Sequence, residues 1–342
     1  MRTAIMGAGS LGIIIGALIA KGGVDVELVD INRENVNALN TNGARITGPL
    51  EMTVPVKART PEEMQGQYDL VLLLTKQWNN PTALPELLPH LHATSTVCTL
   101  QNGIPEESVA AVVGRERTIG GTVGFGAIWR EPGVSELAST VEVLRNYAFD
   151  IGEMDNRLTP RLEAVSRVLG HVGNCALIEN FTGARWAKLL MNATFSGMSA
   201  ALGCTFGDVL ENEAAMTYLA RIADETVKTA HAQGVNLITM QDYDFNQFEM
   251  QSPGELQTRL MPVYQRIWSK HVTTKASMLQ DLEKGRPCEV DSINGHVCAK
   301  GREKGIPTPV NDHVVALVKQ VEQTKQLPEF TTNLSTFSAL YH

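Results

Sequence analysis

The chain lacks the features that would commit it to nucleic acid, a membrane or a metal. Its 29 Lys and Arg face 37 Asp and Glu, a formal net charge of −8. A broad phosphate-neutralising surface is thereby excluded, and nucleic acid is not an expected partner. No apolar run reaches the roughly 18 residues of a membrane span, and the N-terminus enters a strand pattern without a charged leader. A cytoplasmic protein with no membrane partner is expected. The five cysteines, Cys98, Cys175, Cys204, Cys288 and Cys298, are odd in number and never spaced as CxxC. They read as thiols. None of the eight histidines stands in HExxH, so no metal site is expected. Internal repeats and low-complexity linkers are also absent from the sequence.

What is present is an ordinary globular composition, 43% hydrophobic and 19% charged over 342 residues, which is enough for two cores. Thr3 to Met6 reads as a strand, Gly7 to Gly12 as a turn and Leu11 to Ala20 as an apolar helix. Val24 to Val29, Asp69 to Leu74 and Val97 to Leu100 repeat the strand pattern, with helices at Arg33 to Leu39 and Pro105 to Val113. Strands alternating with helices predict a doubly wound, mainly parallel α/β sheet of the Rossmann type. Thr118 to Ile151 changes to glycine-punctuated β-like runs such as Val141 to Leu144, which would finish the sheet antiparallel. Pro160 to His171 reads as a helix and Ala176 to Ile178 as a short strand. Beyond Thr182 helical periodicity dominates. The expected domains are a dinucleotide-binding Rossmann domain over 1–179 and an all-α substrate and catalytic domain over 180–342.

Gly7, Gly9 and Gly12 form GxGxxG around Ser10 and Leu11, after a strand and at the start of a helix. In that context the backbone can approach a pyrophosphate held by the helix N-terminal N–H groups, so these five residues are expected to bind a dinucleotide. Asp30 closes the second strand 18 residues after Gly12, where a carboxylate bonds an adenosine ribose and repels a 2′-phosphate. NADH is therefore favoured over NADPH, with Arg33 the residue that would flank a 2′-phosphate if NADPH bound.

Lys76 and Asn102 directly follow buried strands, at the carboxyl ends where open α/β sheets place their ligands. Asn102 either meets a ligand or serves the Asn102-Gly103 turn, and Lys76 is either functional or a solvated surface cation. In the second half, Lys188, Asn192 and Ser196 recur at a spacing of four, which places them on one face of a helix.

The ordered pieces together resemble the ketopantoate reductase (2-dehydropantoate 2-reductase) family over nearly the whole length. They are the glycine turn, Lys76, Gln101-Asn102-Gly103, Trp186-x-Lys188-Leu189-x-x-Asn192 and Ser277-Met278-x-Gln280-Asp281. The clearest is Gly285-Arg286-x-x-Glu289-Val290-Asp291-x-Ile293-Asn294-Gly295, followed by Gly305-Ile306-Pro307-Thr308-Pro309. The resemblance implies hydride transfer from NAD(P)H to a 2-oxo acid, with Lys188 as general acid and Glu289 orienting the substrate hydroxyl or Lys188. It implies that Asn102 contacts cofactor and carbonyl, that Asn192, Ser196 and Ser277 hold the substrate, and that Lys76 and Glu289 lie beside the cofactor. It also implies, since dimers occur among similar proteins, a homodimer.

Two positions depart from the family pattern: Ser196 stands where a second asparagine is frequent, and Cys288 where threonine commonly precedes the glutamate. The 236–277 stretch is longer than in compact members and reads as an inserted helix or dimer contact, and the 326–342 tail has no assigned role. The expected reaction is reduction of 2-dehydropantoate to (R)-pantoate, in pantothenate biosynthesis. An NADH-dependent D-2-hydroxy-acid dehydrogenase of broader or different specificity is the alternative, and a non-catalytic dinucleotide-binding protein the third reading.

Overall fold

The run Thr3–Met6 becomes the strand β1 because its side chains alternate between two apolar cores. Ile5 enters one, Ala4 and Met6 the other. The computed structural model describes residues 1–240, 242–252 and 254–341, and divides into two compact units, Met1–Phe181 and Thr182–His342.

In the first unit β1 is followed by β2 (Val26–Val29), β3 (Ala44–Thr47), β4 (Met52–Val54), β5 (Lys57–Arg59) and β6 (Tyr68–Leu73). Then come β7 (Leu91–Thr99), β8 (Thr118–Val123), β9 (Ala127–Glu131), β10 (Val134–Leu137), β11 (Phe149–Glu153) and β12 (Cys175–Leu177). The main sheet has the order β12-β11-β8-β7-β6-β1-β2-β5. It is parallel except where β11 meets β8, so the last two strands do finish it antiparallel. The chain leaves β1 toward β2 and returns on its other side at β6, which makes the carboxyl end of β1 the switch point where such sheets bind ligands.

Helices cover both faces: α1 (Ser10–Lys21) and α6 (Pro160–Leu169) share one core, while α3 (Asn80–Leu87) and α4 (Glu106–Val113) share the other. Between them in sequence lie α2 (Arg33–Asn42) and α5 (Val141–Asn146). The helix α5 corrects the β reading of Val141 to Leu144. The Thr140 hydroxyl accepts from Val143 N at 3.3 Å and Glu142 lies in the first turn, a helix start that outweighs the β-branched composition. A second sheet, β4-β3-β10-β9, packs against α1 and was invisible in sequence, because its central pair joins β3 to β10 across some ninety residues.

The second unit is largely helical. Its helices are α7 (Phe181–Met191), α8 (Gly197–Leu202), α9 (Phe206–Glu211), α10 (Glu213–Ala232), α11 (Met261–Trp268), α12 (Ser277–Glu283), α13 (Asn294–Lys304), α14 (Pro309–Thr324) and α15 (Phe330–Thr336). A two-residue hairpin, Thr239–Met240 with Tyr243–Asp244, is the exception to an all-α reading among the described residues. The long 236–277 stretch supplies core: Tyr264 and Trp268 pack on Phe195, with Trp268 stacked on it at 4.6 Å, and Phe248 packs on Tyr264 and Trp268 in turn. The tail is docked as well. Asn333 Nδ2 donates to Ala201 O at 2.7 Å and Phe337 meets His313 edge-on at 4.6 Å.

Candidate functional site

The three motif glycines differ in what a side chain would meet. Gly7 has φ +101°, and a Cβ there would lie 2.8 Å from Thr75 N. Gly12 has no room at all, since a Cβ would come within 2.1 Å of Gly7 O. Those two let the turn pack against Leu74 and Thr75, just beyond β6, and against itself. Gly9 is open, with nothing within 4 Å of a built Cβ. It caps α1 without any side-chain acceptor, and the first turn beside it, starting Ser10-Leu11, carries no acidic residue. An open cradle beside uncapped N–H groups is the donor set that a pyrophosphate requires, so these residues fit a dinucleotide.

Asp30 leaves β2 next to this turn. Its Oδ1 accepts from Asn32 N at 2.8 Å, and Asn35 Nδ2 reaches Oδ2 at 3.4 Å. Burial pushes the Asp30 carboxyl up, while the Asn32 and Asn35 bonds pull the other way. The fully buried Asn35 also donates to Ala8 O at 2.9 Å and accepts from Gly133 N at 2.8 Å. It ties the glycine turn, Asp30 and the β9–β10 connection together. Arg33 is engaged elsewhere: it pairs with Glu63 at 3.0 Å on the surface.

Beyond β6, Lys76 caps a short turn, its ammonium 5.7 Å from the Trp78 ring centre. Asn102 is half-buried in the bend after β7, and its carbonyl accepts from Gln77 Nε2. Both residues are positioned by Gln101, which lies buried between the two strand ends. Gln101 Nε2 donates to Thr75 O and Asn80 Oδ1, each at 2.7 Å, and Oε1 accepts from Asn80 Nδ2 and Thr99 Oγ1 at 3.2 Å. Lys76 and Asn102 therefore sit on neighbouring loops clamped by one amide.

In the second unit Lys188 lies in α7, and Asn192 and Ser196 in the turn that follows it. All three are half-buried. That turn, Asn192–Ser196, is a π turn rather than the regular helix that a spacing of four assumes. Gly197 N donates to Asn192 O, five residues back, so Ser196 lags behind the line of Lys188 and Asn192. Ser277 opens α12 and is exposed. Glu289 is only 2% exposed and precedes the short turn Val290–Ser292 that leads into α13.

A buried polar chain backs this region. Glu225 of α10 accepts from Val310 N at 2.9 Å, Asn311 N at 3.0 Å and Asn311 Nδ2 at 2.7 Å. Asn311 Oδ1 accepts from Asn294 Nδ2 at 2.9 Å, and the same Asn294 nitrogen donates to Ala193 O at 3.0 Å. The sequence reading assigned no role to Glu225, Asn311, Asn35 or Gln101. One signal was there for two of them: Asn35 precedes Leu39 by one turn, and Glu225 lies between Ile222 and Thr229 on a buried face. Burial pushes Cys175, Cys204, Cys288 and Cys298 up to about 12, so these free thiols are poor nucleophiles.

Comparison with known proteins identifies the family of the chain. The family Ketopantoate reductase PanE/ApbA matches residues 3–154, and Ketopantoate reductase PanE/ApbA C terminal matches residues 180–322. A 2-dehydropantoate 2-reductase of Archaeoglobus fulgidus is 30% identical over 322 residues, covering 94% of this chain and 98% of the relative. The crystal structure of 2-dehydropantoate 2-reductase from Geobacter metallireducens GS-15 is 29% identical with a TM-score of 0.77, over 94% of this chain and all of that one. A ternary structure of D-mandelate dehydrogenase with NADH and anilino(oxo)acetate shares the fold, with a TM-score of 0.80 at 23% identity over 95% of this chain and 99% of that one.

Proposed function

The chain belongs to the ketopantoate reductase family, and we propose that it is an NADH-dependent reductase of 2-oxo acids to D-2-hydroxy acids, with a range broader than, or different from, ketopantoate. The observation that carries the cofactor choice is the Asp30 carboxylate, held by Asn32 and Asn35 beside the glycine turn while Arg33 is paired with Glu63. A fixed carboxylate accepts from both ribose hydroxyls and repels a 2′-phosphate.

Bound NADH would supply the hydride that reduces C2 of the 2-oxo acid. The developing charge on the carbonyl oxygen then takes a proton from the Lys188 ammonium, the general acid of this reading. Asn102 contacts cofactor and carbonyl, and Lys76 stands by the cofactor as a positive charge that stabilises the growing negative one. Asn192, Ser196 and Ser277 hold the substrate, and Glu289 orients Lys188, or a substrate hydroxyl where there is one, and lies beside the cofactor. The presence of both Lys188 and Glu289 weighs against a non-catalytic binding protein, which needs neither.

The breadth of the substrate range rests on Ser196. It replaces a longer asparagine of the family pattern and lies in a π turn, so it offers a shorter hydrogen-bonding arm and more room. The names of the relatives at 30% identity favour a second reading, reduction of 2-dehydropantoate to (R)-pantoate in pantothenate biosynthesis. Steady-state oxidation of NADH and NADPH against ketopantoate and a panel of branched and aromatic 2-oxo acids tests both readings. The expected result is a kcat/KM roughly tenfold or more higher with NADH, the size of one repulsive carboxylate–phosphate contact, and a best substrate other than ketopantoate. A clear preference for NADPH overturns the cofactor assignment. Ketopantoate as the best substrate establishes the second reading instead.

A further inference from the structure

The π turn at Asn192–Ser196 leaves a backbone acceptor that a regular helix would use. Gly197 N passes over Ala193 O, its α-helical partner, and donates to Asn192 O instead. Ala193 O is buried with the helix and takes its donor from outside, from Asn294 Nδ2 at 3.0 Å. The Thr194 hydroxyl of the turn donates back to Leu190 O in α7 at 2.7 Å. Asn294 cannot swing away, because Asn311 Oδ1 takes its amide at 2.9 Å and the Glu225 carboxylate holds Asn311 at both its backbone and side-chain nitrogens. On the other side Gly197 presents no side chain, and a Cβ there would stand 2.9 Å from Asn294 Oδ1. Both asparagines are fully buried. A buried asparagine held in this way imposes one backbone geometry on its acceptor, since moving the carbonyl would strand polar groups on both partners.

We infer that Asn294, clamped by Asn311 and Glu225, is a positioning residue that fixes the π turn and so sets how Asn192 and Ser196 are presented to substrate. The inference rests on the substrate roles given to those two residues. The device acts on substrate fit and leaves the cofactor alone, because Asn294 is bonded to the turn and not to the glycine loop.

Asn294→Ala and Gly197→Ala attack the same contact from its two sides, so one remains informative if the other fails to fold. For each, hydrogen–deuterium exchange of the 190–198 amides is measured beside KM and kcat for the best 2-oxo acid and the dissociation constant of NADH. The expected result is faster exchange confined to the π turn, a KM raised roughly three- to tenfold, a smaller change in kcat and unchanged NADH affinity. Unchanged exchange and KM with only a lowered Tm would mean that Asn294 is a core residue and nothing more, which overturns the inference. A wild-type chain that turns over no 2-oxo acid defeats the functional reading instead, and the exchange data alone then decide whether Asn294 holds the turn.

Discussion

Asn35 donates its side-chain amide to the Ala8 carbonyl at 2.9 Å, so a helix that follows the second strand holds the glycine turn that follows the first. The same side chain accepts from Gly133 N. Asn35→Leu keeps the branching at Cγ and strands Ala8 O and Gly133 N, at about 1–3 kcal/mol for each buried group. Urea unfolding should therefore show a loss of about 2–6 kcal/mol, and fluorescence titration a weaker NADH affinity. A variant as stable as wild type would show that water replaces the asparagine.

Gly9 and Gly12 should respond oppositely to alanine. At Gly9 a methyl enters open space at an ordinary φ of −74°, so Gly9→Ala should keep its Tm and lose NADH affinity. At Gly12 the methyl would meet Gly7 O at 2.1 Å, so Gly12→Ala should fold poorly or melt early. Circular dichroism melts with cofactor titration separate the two. Equal behaviour would mean that Gly9 is merely part of the turn.

For Lys188→Ala the expected loss in kcat is about 10²- to 10⁴-fold, the range of a general acid, with NADH affinity retained. Glu289→Ala should likewise lower turnover more than cofactor affinity. Pre-steady-state traces of NADH oxidation decide. Undiminished turnover in Lys188→Ala assigns the proton to another donor.

Burial raises Glu225 from 4.5 to about 7. Between those values the folded protein keeps a proton that the unfolded chain has released, so rising pH removes stability across that window, on the order of 3 kcal/mol in all. His296 has the opposite sign. Burial lowers it from 6.5 to about 4, so its share of stability is complete above 6.5 and is lost as pH falls through about 4. The Glu225 contribution is therefore read as the difference between wild type and Glu225→Gln in urea midpoints from pH 4.5 to 7. A difference that stays constant across the window would refute the assignment.

The sequence by itself determined the α/β sheet, the glycine turn with Asp30 at its side, and the helical second half. Each of these is a local pattern: residues that alternate between two cores, glycines where backbone must pass backbone, and apolar faces at helical spacing. Lys76 and Asn102 stand at the strand ends that the same patterns mark, whereas Lys188 and Glu289 were singled out only by the family resemblance. Only the tertiary structure decided what holds them. Gln101 clamps the loops of Lys76 and Asn102, Asn35 secures the turn to Asp30, and Asn294 takes the carbonyl that the π turn skips. The partners in the last two bonds are 27 and 101 residues apart along the chain, and no short-range pattern encodes them. Val141 to Leu144 was misread although its signal is local, since Thr140 caps the helix three residues before Val143. The spacing of Ser196 instead depends on a π turn whose Ala193 carbonyl takes an amide 101 residues away, which no local residue type announces.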